Sequence, residues 1–233
     1  MQAEDRPIHF SSELIHAPRS LPAPSLQKLY FELSRTKHAN YLSSDFTPPG
    51  PPRFLTKRGK QTQSIVVFLP DRVVVAEEWV DIPFSTFLDR LETVAEKSLD
   101  ELEIGPFVAQ TAVIRTTFAL TNYEDARVFL LDHACAQEGR IGPFLGRPIA
   151  VGGLRFVLPE TQEHRGNLHV TIESFRYSRN EVFVEVRGIF AGPAIHRDTL
   201  SLLRDNFLIV RTFINERVHP YLAQFDVPVE GTA

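Results

Sequence analysis

The chain of 233 residues contains a single cysteine, Cys135. One cysteine excludes an intrachain disulfide framework and a thiolate metal cage built from one chain. No apolar run approaches the roughly 20 residues that a membrane-spanning helix requires. The opening residues show no basic segment followed by an apolar one, so we expect no secretory signal. These absences predict a soluble, cytoplasmic protein that does not bind a membrane.

Excess positive charge is also lacking, because the net charge is −4 at pH 7. Proteins that bind duplex nucleic acid usually present a strongly basic face. One basic cluster exists, formed by Arg53, Lys57, Arg58 and Lys60 beside a proline-rich loop. We interpret this cluster as part of a solvated loop, because only one aromatic residue, Phe54, lies near it and stacking platforms for bases need several. Nucleic-acid binding is therefore unlikely from the sequence.

What the chain does contain is apolar sequence, 43% of its residues, which is enough to bury a substantial core. The last third is the most informative part. Two runs rich in β-branched and aromatic residues, Asn167–Tyr177 and Glu181–Phe190, predict a β-hairpin closed by the three-residue loop 178–180. That loop length places Glu173 opposite Glu185. Apolar residues spaced by three and four from Leu203 to Tyr221 then predict a long helix that ends near Pro220.

The same two periodicities predict the remaining elements. Strands are expected at Ile8–His16, Phe54–Thr56, Ser64–Leu69, Val73–Val80, Phe107–Leu120 and Ile149–Leu158, and helices at Ser25–Lys37, Phe84–Leu102 and Tyr123–Cys135.

The order of these elements is β-α-β-β-β-α in residues 1–104 and again in residues 105–233. We therefore predict an α+β fold in which a curved antiparallel sheet carries helices on one face. The repeated order suggests two pseudo-repeated halves, joined in one compact domain and produced by an ancient duplication. Because the two halves share few identical residues, chance alternation of strands and helices remains an open alternative.

Strands in the segment 64–80 are apolar on both faces, as strands covered on both sides are. If helices cover one face, something else must cover part of the other. A second copy of the chain or another protein is the simplest cover, and we expect a homodimer or a tight protein partner. An apolar ligand bound in the concavity of the sheet is the competing explanation.

The strongest polar group of the sequence is predicted on one face of the C-terminal hairpin and comprises His169, Glu173, Glu185 and Arg187. Facing carboxylates repel, which raises one pKa, and such a pair acts as acid and base or holds a cation. The opposing interpretation is a solvated sheet face on which Arg187 neutralises the two carboxylates, and this interpretation is favoured because structural ion pairs are common. We nevertheless retain the four residues as the candidate ligand-binding site.

Two other patterns are weaker. Asp132, His133 and Cys135 resemble a nucleophile cluster, but neighbours on a helix point in different directions, so Cys135 is better interpreted as a small buried residue. The glycines from Gly139 to Gly146 lack a Walker lysine and predict turns rather than a phosphate loop. We therefore predict no catalytic residue, no metal site and no cofactor.

The leading hypothesis is a non-enzymatic assembly or partner-binding protein that uses the uncovered sheet face. The alternative is a small-molecule-binding protein or hydrolase-like enzyme with a pocket in the sheet concavity near the four candidate residues. The two differ in whether that concavity is filled by Phe175, Phe183 and a neighbouring chain, or open and lined by convergent polar groups.

Overall fold

A computed structural model describes Met1 and residues 5–228 of the chain. The described residues form one antiparallel sheet of nine strands in the order β2-β3-β4-β5-β1-β6-β9-β8-β7. The strands are β1 (Arg6–Ile15), β2 (Ser43–Asp45), β3 (Arg53–Lys57), β4 (Gln63–Leu69), β5 (Arg72–Glu78), β6 (Ala109–Ala119), β7 (Gly153–Leu158), β8 (Asn167–Ser174) and β9 (Glu181–Phe190). The predicted α+β class, with a curved antiparallel sheet and helices on one face, is confirmed.

Two long helices dominate the covered face of the sheet. They are α2 (Phe84–Glu101), which contacts β1 and β5, and α5 (Ser201–Phe213), which contacts β6 and β9. The other helical segments are α1 (Ala23–Arg35), α3 (Ala126–Val128) with the π-helical turn Phe129–Ala134, α4 (Ile141–Leu145), the 3-10 turn Arg197–Thr199, the π-helical turn Ile214–Val218 and α6 (His219–Ala223).

The core lies between the sheet and these helices, and the alternation of buried residues in the outer strands β8 and β9 shows which face is covered. In β9 every second residue, from Val182 to Phe190, is buried, and the residues between them are half-buried. Strand β8 shows the same alternation, as a period of two requires when only one face is covered. We call the opposite side, which carries the half-buried residues, the open face.

The two halves of the chain join through the central pair β1 and β6, which are antiparallel neighbours. Counted outward from this pair, the first half continues as β5, β4 and β3, and the second half as β9, β8 and β7. The two series therefore match in chain order, with β2 as an addition at one edge. A duplication stays a prediction, because matching strand order does not establish common ancestry.

The predicted register of the C-terminal hairpin is wrong by two residues. Glu173 lies opposite Phe183, and Glu185 lies opposite Thr171. The cause is the connection, which spans residues 175–180 rather than three residues and is closed by a hydrogen bond from the Phe175 amide to the Glu181 carbonyl at 2.9 Å. A shift of two preserves the side-chain period, so the predicted face of each residue is nevertheless correct.

The last helix also departs from expectation, since it does not end at Pro220 but continues as α6 to Ala223. Proline lacks an amide donor and crowds the preceding turn of an α-helix. Here the π-helical turn Ile214–Val218 directly precedes α6, and Pro220 occupies the first turn of α6, where an intrahelical donor is not required.

The segment 64–80, which was predicted to be covered on both faces, is fully buried on the helix-covered face but mostly half-buried on the open face. On the open face, Ile65 lies opposite Ala76, and Val67 lies opposite Val74. Ala76 is buried, whereas Ile65, Val67 and Val74 are half-buried, as is Leu69 at the end of β4. We call Ile65, Val67, Leu69 and Val74 the aliphatic strip of the open face.

Candidate functional site

A pocket with a volume of about 480 Å³ lies on the open face, at one end of the central strands. Both halves of the chain contribute to it, the first through β1 and the end of β5, the second through β6, β8, β9 and the connection between β8 and β9. Its lining includes His9, Glu78, Trp79, Arg115, Glu173, Phe175, Arg176, Tyr177, Phe183 and Glu185. The volume falls within the range of roughly 300–1,000 Å³ that is typical of ligand sites.

One ion pair crosses the pocket between neighbouring strands. Arg115 on β6 lies directly opposite Glu185 on β9, and its Nε donates to the Glu185 carboxylate at 2.5 Å. The predicted neutralisation of Glu185 therefore occurs, but through Arg115 rather than through Arg187.

His9, on β1, is the neighbour of Arg115 on the other side. Burial, reinforced by the nearby guanidinium of Arg115, lowers the pKa of His9 to about 4. The imidazole is consequently neutral at pH 7, and its Nε2 lies 2.9 Å from the Ser11 hydroxyl oxygen. The floor of the pocket thus holds one arginine that is already paired and one uncharged histidine.

Aromatic rings form one wall of the pocket. Phe175 stacks on Phe183 with nearly parallel planes at a centroid distance of 6.2 Å, and Tyr177 meets Phe175 edge-on at 5.4 Å. Tyr177 also contacts Trp79 edge-on at 5.8 Å, which connects the β8–β9 connection to the end of β5. Trp79 has a backbone φ of +47°, a strained value for a bulky residue, and such strain is characteristic of functional positions.

Glu173 is the unpaired carboxylate of the pocket. It lies opposite Phe183 in the sheet and is half-buried. No hydrogen bond or ion pair joins its side chain to another residue in the part of the chain that the structure describes. By contrast, Glu78 accepts a hydrogen bond from the Gln63 amide at 2.5 Å, and Glu185 is bound by Arg115. Glu173 is therefore the carboxylate left available for a ligand.

The four predicted site residues share the open face but divide into two groups. Glu173 and Glu185 line the pocket, whereas His169 and Arg187 do not, although they face each other across β8 and β9. Phe175 and Phe183 form part of the wall of the pocket, beside the carboxylates of Glu173 and Glu185.

Sequence reasoning missed His9, Arg115 and Trp79. Their proximity depends on the pairing of β1 with β5 and β6, which joins segments far apart in the chain. One signal was available in advance, since Arg115 is the only charged residue in the apolar strand β6. An isolated charge in such a strand indicates a polar partner on the same face.

The other candidate clusters have structural roles. Asp132 accepts a hydrogen bond from the Gly139 amide at 2.7 Å, and the His133 ring packs at a tilt against Tyr123 with a centroid distance of 4.5 Å. Burial raises the pKa of the Cys135 thiol, which makes it less reactive at neutral pH.

Half of the basic cluster is occupied by ion pairs. Arg53 binds Asp45 at 2.6 Å, and Arg58 binds both Glu77 and Asp81 at 2.8 Å. Within residues 5–228 and Met1, no group of three or more histidine, cysteine or carboxylate side chains is arranged to hold a metal ion. No helix among the described residues is long and apolar enough to cross a bilayer.

No protein-family model and no curated protein sequence matches the chain.

Proposed function

We propose that the protein is a non-enzymatic binding protein that holds a segment of a protein partner on the open face of its sheet. The observation that carries this proposal is the unpaired carboxylate of Glu173 in a pocket walled by aromatic rings. Aromatic faces attract cations through their quadrupole, and a carboxylate adds a charge-assisted hydrogen bond. A lysine or arginine side chain of the partner is the group that this combination suits.

The charges of the pocket support a cationic occupant. Three carboxylates, those of Glu78, Glu173 and Glu185, face the pocket, against two guanidinium groups, those of Arg115 and Arg176. Arg115 is bound to Glu185, and Arg176 lies over the Tyr177 ring at 4.6 Å and donates to its hydroxyl at 2.6 Å. With His9 neutral, the side chains contribute a net charge of −1, and Glu173 is the carboxylate of the pocket that has no hydrogen-bond or ion-pair partner among the described residues.

A partner longer than a small molecule is favoured by the aliphatic strip. On β5, Val74, Ala76 and Glu78 project on the same face in succession, so the strip continues into the pocket. A ligand confined to the pocket would leave Ile65, Val67 and Leu69 half-exposed, whereas an extended segment that crosses β4 and β5 would cover them. The strip thus adds apolar area next to a polar anchor, as protein interfaces do.

A peptide selection tests this proposal. Purified protein is used to select binders from a random peptide library, and affinities are measured for wild type, Glu173→Gln and the control Glu163→Gln. Glu163 is an exposed loop carboxylate outside the pocket. We expect selected peptides to be enriched in lysine or arginine and to bind Glu173→Gln roughly 10- to 150-fold more weakly, because a charge-assisted hydrogen bond contributes roughly 1.5–3 kcal/mol.

Two outcomes of this experiment would contradict the proposal. One is a set of peptides without basic residues, and the other is equal affinity for Glu173→Gln and Glu163→Gln. Retained far-UV circular dichroism and an unchanged unfolding midpoint for both variants would establish that any lost affinity is a property of the site.

The second candidate is a small-molecule-binding protein or hydrolase-like enzyme, and the pocket volume favours it. Ser11 and His9 lie at the separation of a nucleophile and its base, 2.9 Å. However, an imidazole with a pKa near 4 is a weak base at pH 7, and no described carboxylate bonds to its second nitrogen. Ester hydrolysis that is lost in Ser11→Ala would favour this candidate over partner binding.

A further inference from the structure

The strand β7 forms one edge of the sheet and pairs with β8 alone. Its side chains are unusually apolar and exposed for an edge strand, with Val157 58% exposed and Phe156 40% exposed. Within the described residues, six of the fourteen exposed large apolar side chains fall in the short segment 144–158. Edge strands of this kind pair with further strands unless charge, proline or a cover prevents it.

The opposite edge of the sheet is better protected against pairing than β7, whose one charged residue is Arg155. Strand β2 has only three residues, Ser43–Asp45, and its last residue is held in an ion pair with Arg53 on β3. Short strands and edge charges both discourage pairing. Association through the sheet is therefore expected at β7 and not at β2.

The backbone geometry of β7 determines which of its amide and carbonyl groups are free to bond to another strand. The Ser174 amide donates to the Gly152 carbonyl at 3.0 Å, which makes residues 152 and 174 a hydrogen-bonded pair. Because such pairs alternate along an antiparallel ladder, residues 154, 156 and 158 bond to β8. Gly153, Arg155 and Val157 then direct their amide and carbonyl groups to the free edge, where only another extended strand can satisfy them in series.

From this edge we infer that β7 pairs with β7 of a second copy of the chain, in antiparallel orientation about a two-fold axis through Phe156. In this register Phe156 faces Phe156 of the partner, Leu154 faces Leu158, and Arg155 faces Val157. The two nine-stranded sheets become one continuous sheet. The inference concerns the edge of the sheet and is independent of the function proposed for the open face.

The sequence of β7 favours this register over its neighbours. A shift by one step in one direction places Arg155 opposite Arg155 of the partner, and like charges directly opposed are destabilising. The step in the other direction brings Pro159, which has no amide, into a hydrogen-bonding position. Pairing about Phe156 keeps Arg155 opposite Val157 and moves Pro159 out to the end of the pair, opposite Gly153, where only the terminal bond is lost, so β7 is complementary to itself, as a two-fold interface must be.

An apolar groove beside β7 supplies the packing for this contact. It lies on the helix-covered side, between Phe156 and Leu158 of the edge and Phe213 and Tyr221 of the last helical segments. Its wall is almost entirely apolar apart from Arg217. The two-fold brings the grooves of both copies side by side, so that each Phe156 ring is covered by its counterpart.

Sedimentation equilibrium over a wide concentration range tests the inference with two opposite charge substitutions. Val157→Lys places lysine opposite the partner's Arg155 twice in each dimer, and Val157→Glu places glutamate there twice. We expect wild type to reach a mass of about 53 kDa, twice 26.4 kDa. Val157→Lys should weaken the dimer by roughly 2- to 30-fold and Val157→Glu should not weaken it, from the usual size of cross-strand charge pairs.

The control is Leu208→Lys, which replaces an exposed apolar residue on α5 and should leave the dimer unchanged. A wild-type monomer at all concentrations would overturn the inference. Equal weakening by Val157→Lys and Val157→Glu would also overturn it, because that result indicates general apolar association without the pairing of residue 157 with Arg155.

Cysteine cross-linking tests the register itself, in a chain carrying Cys135→Ser. Opposed residues of a non-hydrogen-bonded antiparallel pair have Cα atoms about 4.5 Å apart, within the range of disulfides. Phe156→Cys should therefore form a disulfide-linked dimer under mild oxidation, and Val157→Cys should form much less. The reverse order, or no difference, would exclude a two-fold axis at Phe156.

Discussion

Replacement of Glu77 by glutamine should destabilise the fold more than any change to a surface ion pair. Glu77 is fully buried and accepts hydrogen bonds from Arg58 and Ser64 at 2.8 Å, in addition to an ion pair with Arg90. Arg90 is itself buried on α2 and also donates to the His38 carbonyl at 3.1 Å. The cluster therefore joins α2 to β4 and β5 inside the core.

The loss of stability expected for Glu77→Gln follows from the charge of Arg90, which remains buried without its partner. Removing one member of a buried pair leaves the other charge uncompensated, which costs about 3–5 kcal/mol. Small domains have a free energy of unfolding of only about 5–15 kcal/mol, so the loss is a large fraction of the total. Arg58 is less affected because it keeps its ion pair with Asp81.

Equilibrium unfolding in urea measures this effect through the shift of the midpoint at constant slope. The matched control is Glu103→Gln, whose ion pair with Arg19 lies at the surface, with the glutamate side chain 79% exposed. Its cost should stay below about 1 kcal/mol. A loss below about 1 kcal/mol in Glu77→Gln would refute the assignment of an uncompensated charge at Arg90.

A double variant, Glu77→Leu with Arg90→Met, removes both charges of the buried ion pair and so tests whether the remaining charge of Arg90 causes the loss of stability in Glu77→Gln. Apolar replacement of a buried ion pair is often neutral or stabilising. We expect the double variant to be more stable than Glu77→Gln alone. If it is less stable than the single variant, the uncompensated charge of Arg90 is not the main cost of Glu77→Gln, and the reasoning about desolvation fails.

Two further predictions concern ionisation. Burial lowers the pKa of His9 from 6.5 to about 4, so between these pH values the unfolded chain binds a proton more readily than the folded chain. The free energy of unfolding should therefore fall as the pH decreases from 6.5 to 4, by about 3 kcal/mol at most. An NMR titration of the His9 ring measures this pKa, and a value near 6.5 would contradict the prediction. Asp125 binds the Arg127 side chain and caps α3, which lowers the pKa of its carboxyl. That stabilisation should be complete above about pH 5 and lost as pH falls through the folded pKa, so the stability difference from Asp125→Asn should shrink in acid, and a difference that does not depend on pH would exclude this role.

The local periodicity of the sequence was sufficient to predict which residues of β8 and β9 share a face, but not the register between these strands. Glu173 and Glu185 were correctly assigned to one face because a period of two survives a shift of two residues. The length of the β8–β9 connection was underestimated because Phe175 and Tyr177 were interpreted as strand residues. They instead form the aromatic wall of the pocket.

Long-range pairing explains the residues that were missed. His9 and Arg115 are 106 positions apart in the chain, and they meet because β1 and β6 are neighbours at the centre of the sheet. No local pattern specifies which strands pair, since strand order follows from the packing of the whole chain. The exposed edge at β7 depends on the same information, because only the strand order identifies β7 as an edge.

The most direct test of the binding site uses Trp79, the single tryptophan of the chain. Its emission is measured while a selected basic peptide is added, and the binding curve is compared with the affinity from calorimetry. The account predicts a saturable change in emission with the same dissociation constant, and a curve shifted to weaker binding in Glu173→Gln. Binding that is detected by calorimetry without any change in the emission of Trp79 would place the partner elsewhere and contradict the account.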